Sequence, residues 1–338
     1  MSDDAWVTTT ADTLRRALQS MVDRRQSPGA VAAIGSATER AFVAVGTTAV
    51  DGRHPATPAT FYDIASLTKV VATWPLVGRA VADQLVDLDT PVAAYFDVDP
   101  GTHPGAAVTL RQVLTHTSGL KPSTRLDRYI GGDRDIAEAI LAEPLDGAGG
   151  HRYINRGFIL TGLLLERLRG ATLGELLDAH TSELGTRGIT YGPLARGPKV
   201  APTERRLVGG HPVHGTAHDE NAATLGGMAG HAGVFATADA LADYAEAILR
   251  TRDTATPFGA YVRASWQPAV RVDERTHRGL AWLLTDTGLV YHHGFTGTSL
   301  YFHPVTGRYL VLLTNAIAYG RARPGLTETR KVAAGVFG

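Results

Sequence analysis

The sequence contains no cysteine in 338 residues. That excludes disulfides, a thiolate nucleophile, zinc ribbons and iron–sulfur ligation, so nucleophilic chemistry falls to another side chain. Excess charge is also missing: 33 Lys and Arg balance 33 Asp and Glu, and nothing global draws the chain to nucleic acid or to an anionic membrane. No apolar run approaches the roughly 20 residues of a membrane-spanning helix. The opening Met1-Ser2-Asp3-Asp4-Ala5-Trp6 is acidic and lacks the basic and apolar parts of a secretion signal. A cytoplasmic location is expected, with a mature secreted form as the alternative. Repeats and low-complexity segments are absent. The composition, 44% hydrophobic and 20% charged, is that of a chain able to bury a large core.

Leu14, Leu18, Met21 and Val22 recur at i, i+4, i+7 and i+8, the apolar stripe of an amphipathic helix ending before Ser27-Pro28-Gly29. Residues 30–34 and 41–45 are short apolar runs about a polar connection and read as a strand pair. The stretch 66–240 is mainly helical by pattern. Thr109 with Gln112, and Thr172 with Glu175, match the capping box, in which each side chain satisfies the other's orphan backbone donor. Leu241, Tyr244, Ala245 and Ile248 make another stripe, with Thr237 placed to cap it. From 278 the texture changes to β-rich runs at 280–285, 289–293, 299–302 and 309–315, separated by turn residues. Strands at both ends with helices between predict an α/β (α+β) fold. One antiparallel sheet is assembled from 1–65 and 241–338, flanked by N- and C-terminal helices, with 66–240 inserted as a mainly helical lobe.

The tetrad Ser66-Leu67-Thr68-Lys69 puts a hydroxyl and an amine one helical turn apart on one face. A helix N-terminus there adds unpaired N–H groups and a positive dipole end, which favour an alkoxide and an oxyanion beside it. Alone, a serine three residues before a lysine is commonplace. Tyr153-Ile154-Asn155 stands at the edge of an apolar helix at 158–168, where side chains can reach a cleft. A phenol beside a lysine can shuttle protons and an amide can hold a substrate carbonyl; the plain alternative is a buried Tyr anchor and an Asn cap. His292-His293-Gly294-Phe295-Thr296-Gly297-Thr298 lies on a late strand whose glycines admit close approach of a ligand or mark a bulge.

Taken in this order, the three elements resemble the serine β-lactamase and penicillin-binding-protein superfamily, with its Ser-x-x-Lys, Ser- or Tyr-x-Asn and Lys-Thr-Gly motifs. The Tyr of the second motif is similar to the class C branch and its esterase relatives. Residues 108–120 and 226–238 also look like that family, and the likeness runs from about Ser27 to Asn315. The resemblance implies Ser66 as the acylated nucleophile, Lys69 and Tyr153 as the proton-transfer pair, and Asn155 as a positioning amide. It further implies substrate contacts at His292, His293 and Gly294, and an oxyanion hole made by the N–H groups of Ser66 and Phe295, all at the border of the two lobes. Three departures stand out. His292 takes the place of a lysine, replacing a permanent cation by an imidazole mostly neutral at pH 7. Pro75 interrupts the helix after Lys69, where an interior proline costs about 3 kcal/mol unless it marks a kink or an end. His293 stands where threonine is usual.

What the resemblance implies is a serine acyl-transfer enzyme with no cofactor and no metal, acting on a small-molecule ester or amide. With water as acceptor it is an esterase; with an amine or alcohol, a transacylase. A β-lactamase or D-Ala-type peptidase is the alternative, disfavoured by the missing lysine and the expected location. A silent ligand-binding or acylation-sensing protein is the alternative of another class. Thirteen histidines raise metal binding, above all His211, His214, His218 and His231, yet no His-Glu-x-x-His helix is present, and structural or substrate-contacting roles are expected. Arg321, Arg323 and Arg330 read as a solvated tail surface; should the C-terminal segment fold back, Arg321 or Arg323 becomes a substitute cation.

Overall fold

Because side chains alternate across a strand, the fully buried run Gly29–Gly35 faces two different cores. Ala30, Ala32 and Ile34 pack with Leu310 and Leu312 against Trp6, Leu14 and Leu18 of the first helix, Asp3–Asp23. Val31 and Ala33, with Val311 and Leu313, join the main core of Trp74, Tyr244, Ile248 and Trp282 on the other face. Leu14 and Leu18 are completely buried, and each contributes about 1.5–3 kcal/mol by leaving water. Trp6 and Val7 extend the stripe that the sequence shows from Leu14 onward.

The computed structural model describes residues 2–122, 125–129, 135–147, 149–204 and 212–338. One antiparallel sheet runs in the spatial order Arg40–Gly46, Gly29–Gly35, Arg308–Thr314, Ser299–His303, Val290–His293, Leu283–Thr285, Thr276–Arg278 and Val270–Arg271. The first strand of the chain pairs with the last, Ala32 opposite Leu312, so both ends meet in one sheet. The C-terminal helix Leu326–Gly335 lies beside the N-terminal one. This is the mixed α/β architecture expected from the pattern, with both flanking helices in place. The last two strands of the sheet were not expected: at two and three residues they are too short for alternation to register.

Between the strand pair and the late strands lie the helices, and they begin where the caps place them. Both capping boxes form, at Leu110–Leu114 and Leu173–Glu183, and the Thr237 hydroxyl accepts from Ala240 at the start of Ala238–Arg252. This middle region also contains a small sheet of Tyr62–Asp63, Val234–Ala236 and Ile189–Tyr191, which the helical pattern concealed. The expected boundaries at 65/66 and 240/241 fall inside the turn Ala65–Leu67 and the helix Ala238–Arg252. No helix among the described residues is long and apolar enough to cross a membrane.

Candidate active site

Ser66 sits in a tight 3-10 turn, Ala65–Leu67, and Lys69 opens a π-helical turn, Lys69–Thr73, that runs into the α-helix Trp74–Ala82. The two residues therefore do not share one α-helix, as the spacing predicts, but successive turns of different pitch. The change of pitch also resolves Pro75: it lies in the first turn of the α-helix, where its missing N–H and fixed φ are tolerated. Lys69 is completely buried; its Nζ donates to Ser66 Oγ at 3.0 Å and to the His231 carbonyl at 3.3 Å. Among the described residues it forms no ion pair with a carboxylate. Ala65, immediately before Ser66, has φ +48°, a left-handed conformation unusual for alanine. The buried Asp63 carboxylate holds that strained turn, accepting from Ala65 N at 2.8 Å and His218 N at 2.7 Å, while burial pushes its pKa up.

Tyr153 presents its ring to this lysine. Lys69 Nζ lies 5.0 Å from the ring centroid, and the ring is 40% exposed, at the edge of solvent. The contact is through the aromatic face; a hydrogen bond from the Tyr153 hydroxyl to Ser66 or Lys69 is not formed. His116 fixes the Tyr-x-Asn segment: its carbonyl accepts from Arg152 N at 2.9 Å, its Nδ1 accepts from Ile154 N at 3.3 Å, and its ring lies tilted 4.6 Å from that of Tyr153. Asn155 precedes the helix Arg156–Arg169 without capping it through its side chain, and its Oδ1 is buried with no partner among the described residues. The plain role as a helix cap is thereby unfilled.

The third element closes onto the first through its turn. Thr296 Oγ1 donates to the Asp63 carbonyl at 2.7 Å and Thr298 Oγ1 to the Ile64 carbonyl at 2.9 Å, stapling residues 294–298 onto the backbone just ahead of Ser66. A Cβ at Gly294 would meet both Thr298 Oγ1 and the Ile64 carbonyl at under 3.0 Å, so only glycine permits the approach. Neither the Ser66 nor the Phe295 N–H donates to an acceptor among the described residues. His292 is buried with its ring 6.2 Å from that of Tyr153, and neither ring nitrogen has a partner among the described residues. Burial, then the charges of Arg278 and Lys69, hold its pKa well below the usual imidazole value. His293 is a correction to the expected set: strand alternation turns it to the opposite face, where Nε2 meets Tyr301 OH at 3.1 Å in the core under the terminal helices.

Sequence reasoning missed Arg278. It is buried, donates through Nη1 to the Ala281 carbonyl at 3.0 Å, and lies 5.8 Å from the Tyr153 ring centroid. Desolvation lowers its pKa to about 10, and no described carboxylate pairs with it. The tail arginines are also placed otherwise than expected. Arg321 is occupied by Glu204 and Glu220, while Arg323 stacks 4.0 Å over Phe295 and donates to its carbonyl at 2.7 Å. Arg330 turns inward beneath the 294–298 turn. Of the four histidines singled out, His211 lies outside the described residues. His214 meets the Val200 carbonyl, His218 meets Glu204, and His231 Nε2 meets Asp219 at 2.7 Å. No group of metal-ligating side chains occurs among the described residues.

A family model described as Beta-lactamase matches residues 14–334. The chain is similar to an N-acetylmuramyl-L-alanine amidase of Bacillus subtilis, 29% identical in an alignment 303 positions long, gaps included, that covers 76% of this chain and 68% of that protein. It is also similar to a putative D-alanyl-D-alanine carboxypeptidase of Salmonella paratyphi B, 24% identical in an alignment 341 positions long, gaps included, that covers 84% of this chain and 77% of that protein. Among solved structures, the class C beta lactamase from Rhodobacter sphaeroides superposes with a TM-score of 0.77 at 15% identity, over 97% of this chain and all 100% of that one. The octameric penicillin-binding protein homologue from Pyrococcus abyssi gives 0.73 at 20% identity, over 96% and 77%. At such identities the structural likeness is one of fold.

Proposed function

The chain belongs to the Beta-lactamase family, within the serine β-lactamase and penicillin-binding-protein superfamily, and from that premise we propose that it is a serine hydrolase whose acyl-enzyme forms on Ser66. The observation that carries the reading is the 3.0 Å contact from fully buried Lys69 to Ser66 Oγ, free of any described carboxylate. Ser66 Oγ attacks the carbonyl carbon of an ester or amide and its proton passes to the Lys69–Tyr153 pair. The tetrahedral oxyanion is held by the N–H groups of Ser66 and Phe295. Collapse expels the alcohol or amine, which takes up that proton. Water or a second nucleophile then attacks the acyl-enzyme and releases Ser66. The cleft runs between the sheet of 1–65 and 241–338 and the lobe of 66–240, with Asn155 and His292 contacting the acyl group and Gly294 allowing its approach.

An uncharged small-molecule ester or amide is the preferred substrate, since His292 offers no cation at neutral pH. A second reading, hydrolysis of an amide that bears a carboxylate, is favoured by Arg278, a buried guanidinium near Tyr153 with no described carboxylate of its own. The relatives named as an amidase and a carboxypeptidase point the same way. Steady-state turnover of an activated ester, beside Ser66→Ala, tests the proposal. Turnover beyond one equivalent that vanishes in the variant is expected, by several orders of magnitude. Stoichiometric acylation alone would favour a sensor, and turnover surviving in Ser66→Ala refutes the assignment. Adding amines and following products by mass spectrometry separates hydrolysis from acyl transfer.

A further inference from the structure

The Phe295 N–H and the Gly294 carbonyl belong to one planar peptide unit, and in a trans peptide they point in opposite directions. Whatever holds the Gly294 oxygen therefore aims the Phe295 N–H. Arg330 Nη2 donates to the Gly294 carbonyl at 2.8 Å and to the Thr298 carbonyl at 3.0 Å, and its Nε donates to Ser299 Oγ at 3.1 Å. One guanidinium thus spans both ends of the turn. The next peptide is fixed as well, by Arg323 Nη1 on the Phe295 carbonyl at 2.7 Å. The turn closes on itself through Gly297 N to the Gly294 carbonyl at 3.2 Å and Gly294 N to the Thr298 carbonyl at 2.8 Å, and Arg330 makes the shorter of the two contacts to the Gly294 oxygen, so it shares in setting the orientation of that peptide. Burial lowers the Arg330 pKa to about 10, and no described carboxylate pairs with it; its described hydrogen bonds go to this turn and to Ser299, the residue that follows it.

We infer that Arg330, seconded by Arg323, is a positioning residue for acyl transfer: it shares in setting the peptide whose N–H completes the oxyanion hole from the far side of the turn. The inference rests on the acyl-enzyme reading above. It makes the C-terminal helix, which touches no reacting atom, a determinant of transition-state stabilisation. A salt link of ordinary structural kind would tie the helix to the sheet without favouring one state of the substrate.

The test uses the full chain with an activated ester and with phenylboronic acid, which adds to a serine oxygen and places a boronate oxygen in the oxyanion hole. Removing a whole oxyanion donor costs about 10²–10³ in kcat, so misaiming one is expected to cost roughly 10- to 100-fold. Arg330→Gln should lose that factor in kcat and in boronate affinity while KM stays within about threefold, and Arg330→Lys should recover part of both. A folded Arg330→Gln protein with unchanged kcat and boronate affinity, or one that raises KM alone, overturns the inference. Should Arg330→Gln fail to fold, Arg323→Ala takes its place. A smaller loss with the same split supports the inference, and no change in either quantity overturns it. Ser66→Ala run alongside separates the two claims: if it keeps turnover and boronate affinity, the acyl-enzyme reading falls and takes the arginines with it. If Ser66 is required and the arginine variants are unaffected, only the positioning role falls.

Discussion

Replacing Gly294 by alanine adds one methyl group where the third element packs on the backbone just ahead of Ser66. The backbone of Gly294 is not left-handed, so an alanine meets no torsional strain there; space alone decides. The new Cβ would lie under 3.0 Å from both Thr298 Oγ1 and the Ile64 carbonyl oxygen, which are themselves hydrogen-bonded to each other at 2.9 Å. Comfortable carbon–oxygen contact needs about 3.5 Å, so the 294–298 turn must retreat by roughly 1 Å or the Thr298 bond must break. Overpacking of this kind destabilises by about 1–3 kcal/mol, a Tm loss of a few degrees in a chain of this size. The functional effect should be larger, because a displacement of about 1 Å at a reacting centre costs about 10²-fold. The assay is kcat for an activated ester together with a thermal melt, with Gly335→Ala as control, a helical glycine whose Cβ would meet nothing within 4 Å. A Gly294→Ala protein that keeps kcat within about twofold would refute a part in catalysis for the packing of the 294–298 turn on residues 63–64.

Stability should fall steeply in mild acid. Burial lowers the pKa of His116, His231 and His292, and takes His180 and His293 down to about 3, so the unfolded chain binds more protons than the folded one below about pH 6.5. Stability is then full above that value and lost as pH drops toward the folded pKa values, each imidazole approaching about 1.4 kcal/mol per pH unit. Asp63, raised by burial, acts in the opposite sense over part of the window but is one group against five. Melting temperatures that stay flat between pH 7.5 and 5 would contradict this. His292→Lys places an ammonium where Lys69 and Arg278 already oppose charge, so the variant should melt lower yet gain on substrates carrying a carboxylate. A charge-assisted contact of about 1.5–3 kcal/mol corresponds to roughly ten- to a hundredfold in kcat/KM relative to a neutral ester. An unchanged ratio in a folded variant counts against His292 bordering the substrate.

Much of this architecture was legible because it rests on local rules. Thr109, Thr172 and Thr237 cap helices through contacts three residues away, and the strand at 309–315 declares itself by the apolar run 309–313. The Ser66 to Lys69 spacing was readable too, since any helical turn of three residues brings them together. What escaped depends on neighbours distant in sequence. Arg278 closes a stretch, Asp273-Glu274-Arg275-Thr276-His277, that looks like a charged surface turn; only its pairing with Leu283 in the sheet directs it inward. Arg330 sits between exposed Glu328 and Lys331, which pair with each other on the solvent side, and nothing local distinguishes it from them. His293 was misplaced for a simpler reason. A motif treats successive residues as one unit, whereas a strand sends them to opposite faces.

The charge pattern of the cleft follows from these placements. Lys69 and Arg278 are both buried near Tyr153, and neither forms an ion pair with a described carboxylate, although Asp219, held by His231, attracts Lys69 from a distance. The nearby imidazoles cannot share the load, since burial first, and then the same two charges, hold the pKa of His116 and His292 well below the usual imidazole value. In such a site a neutral substrate gains little on binding, while an oxyanion that appears during the reaction meets an environment already oriented toward negative charge. Preorganised groups of that kind act on the transition state more than on the ground state, because no reorganisation is required when the charge develops. The same field would also hold an anionic product or a substrate carboxylate. Discrimination between the two proposed substrate classes therefore turns on whether Arg278 is screened behind the Tyr153 ring or reached by the substrate. Tyr153→Ala distinguishes these: it should raise affinity for carboxylate-bearing inhibitors severalfold if the ring is the screen, and lower it if the phenol itself is the contact.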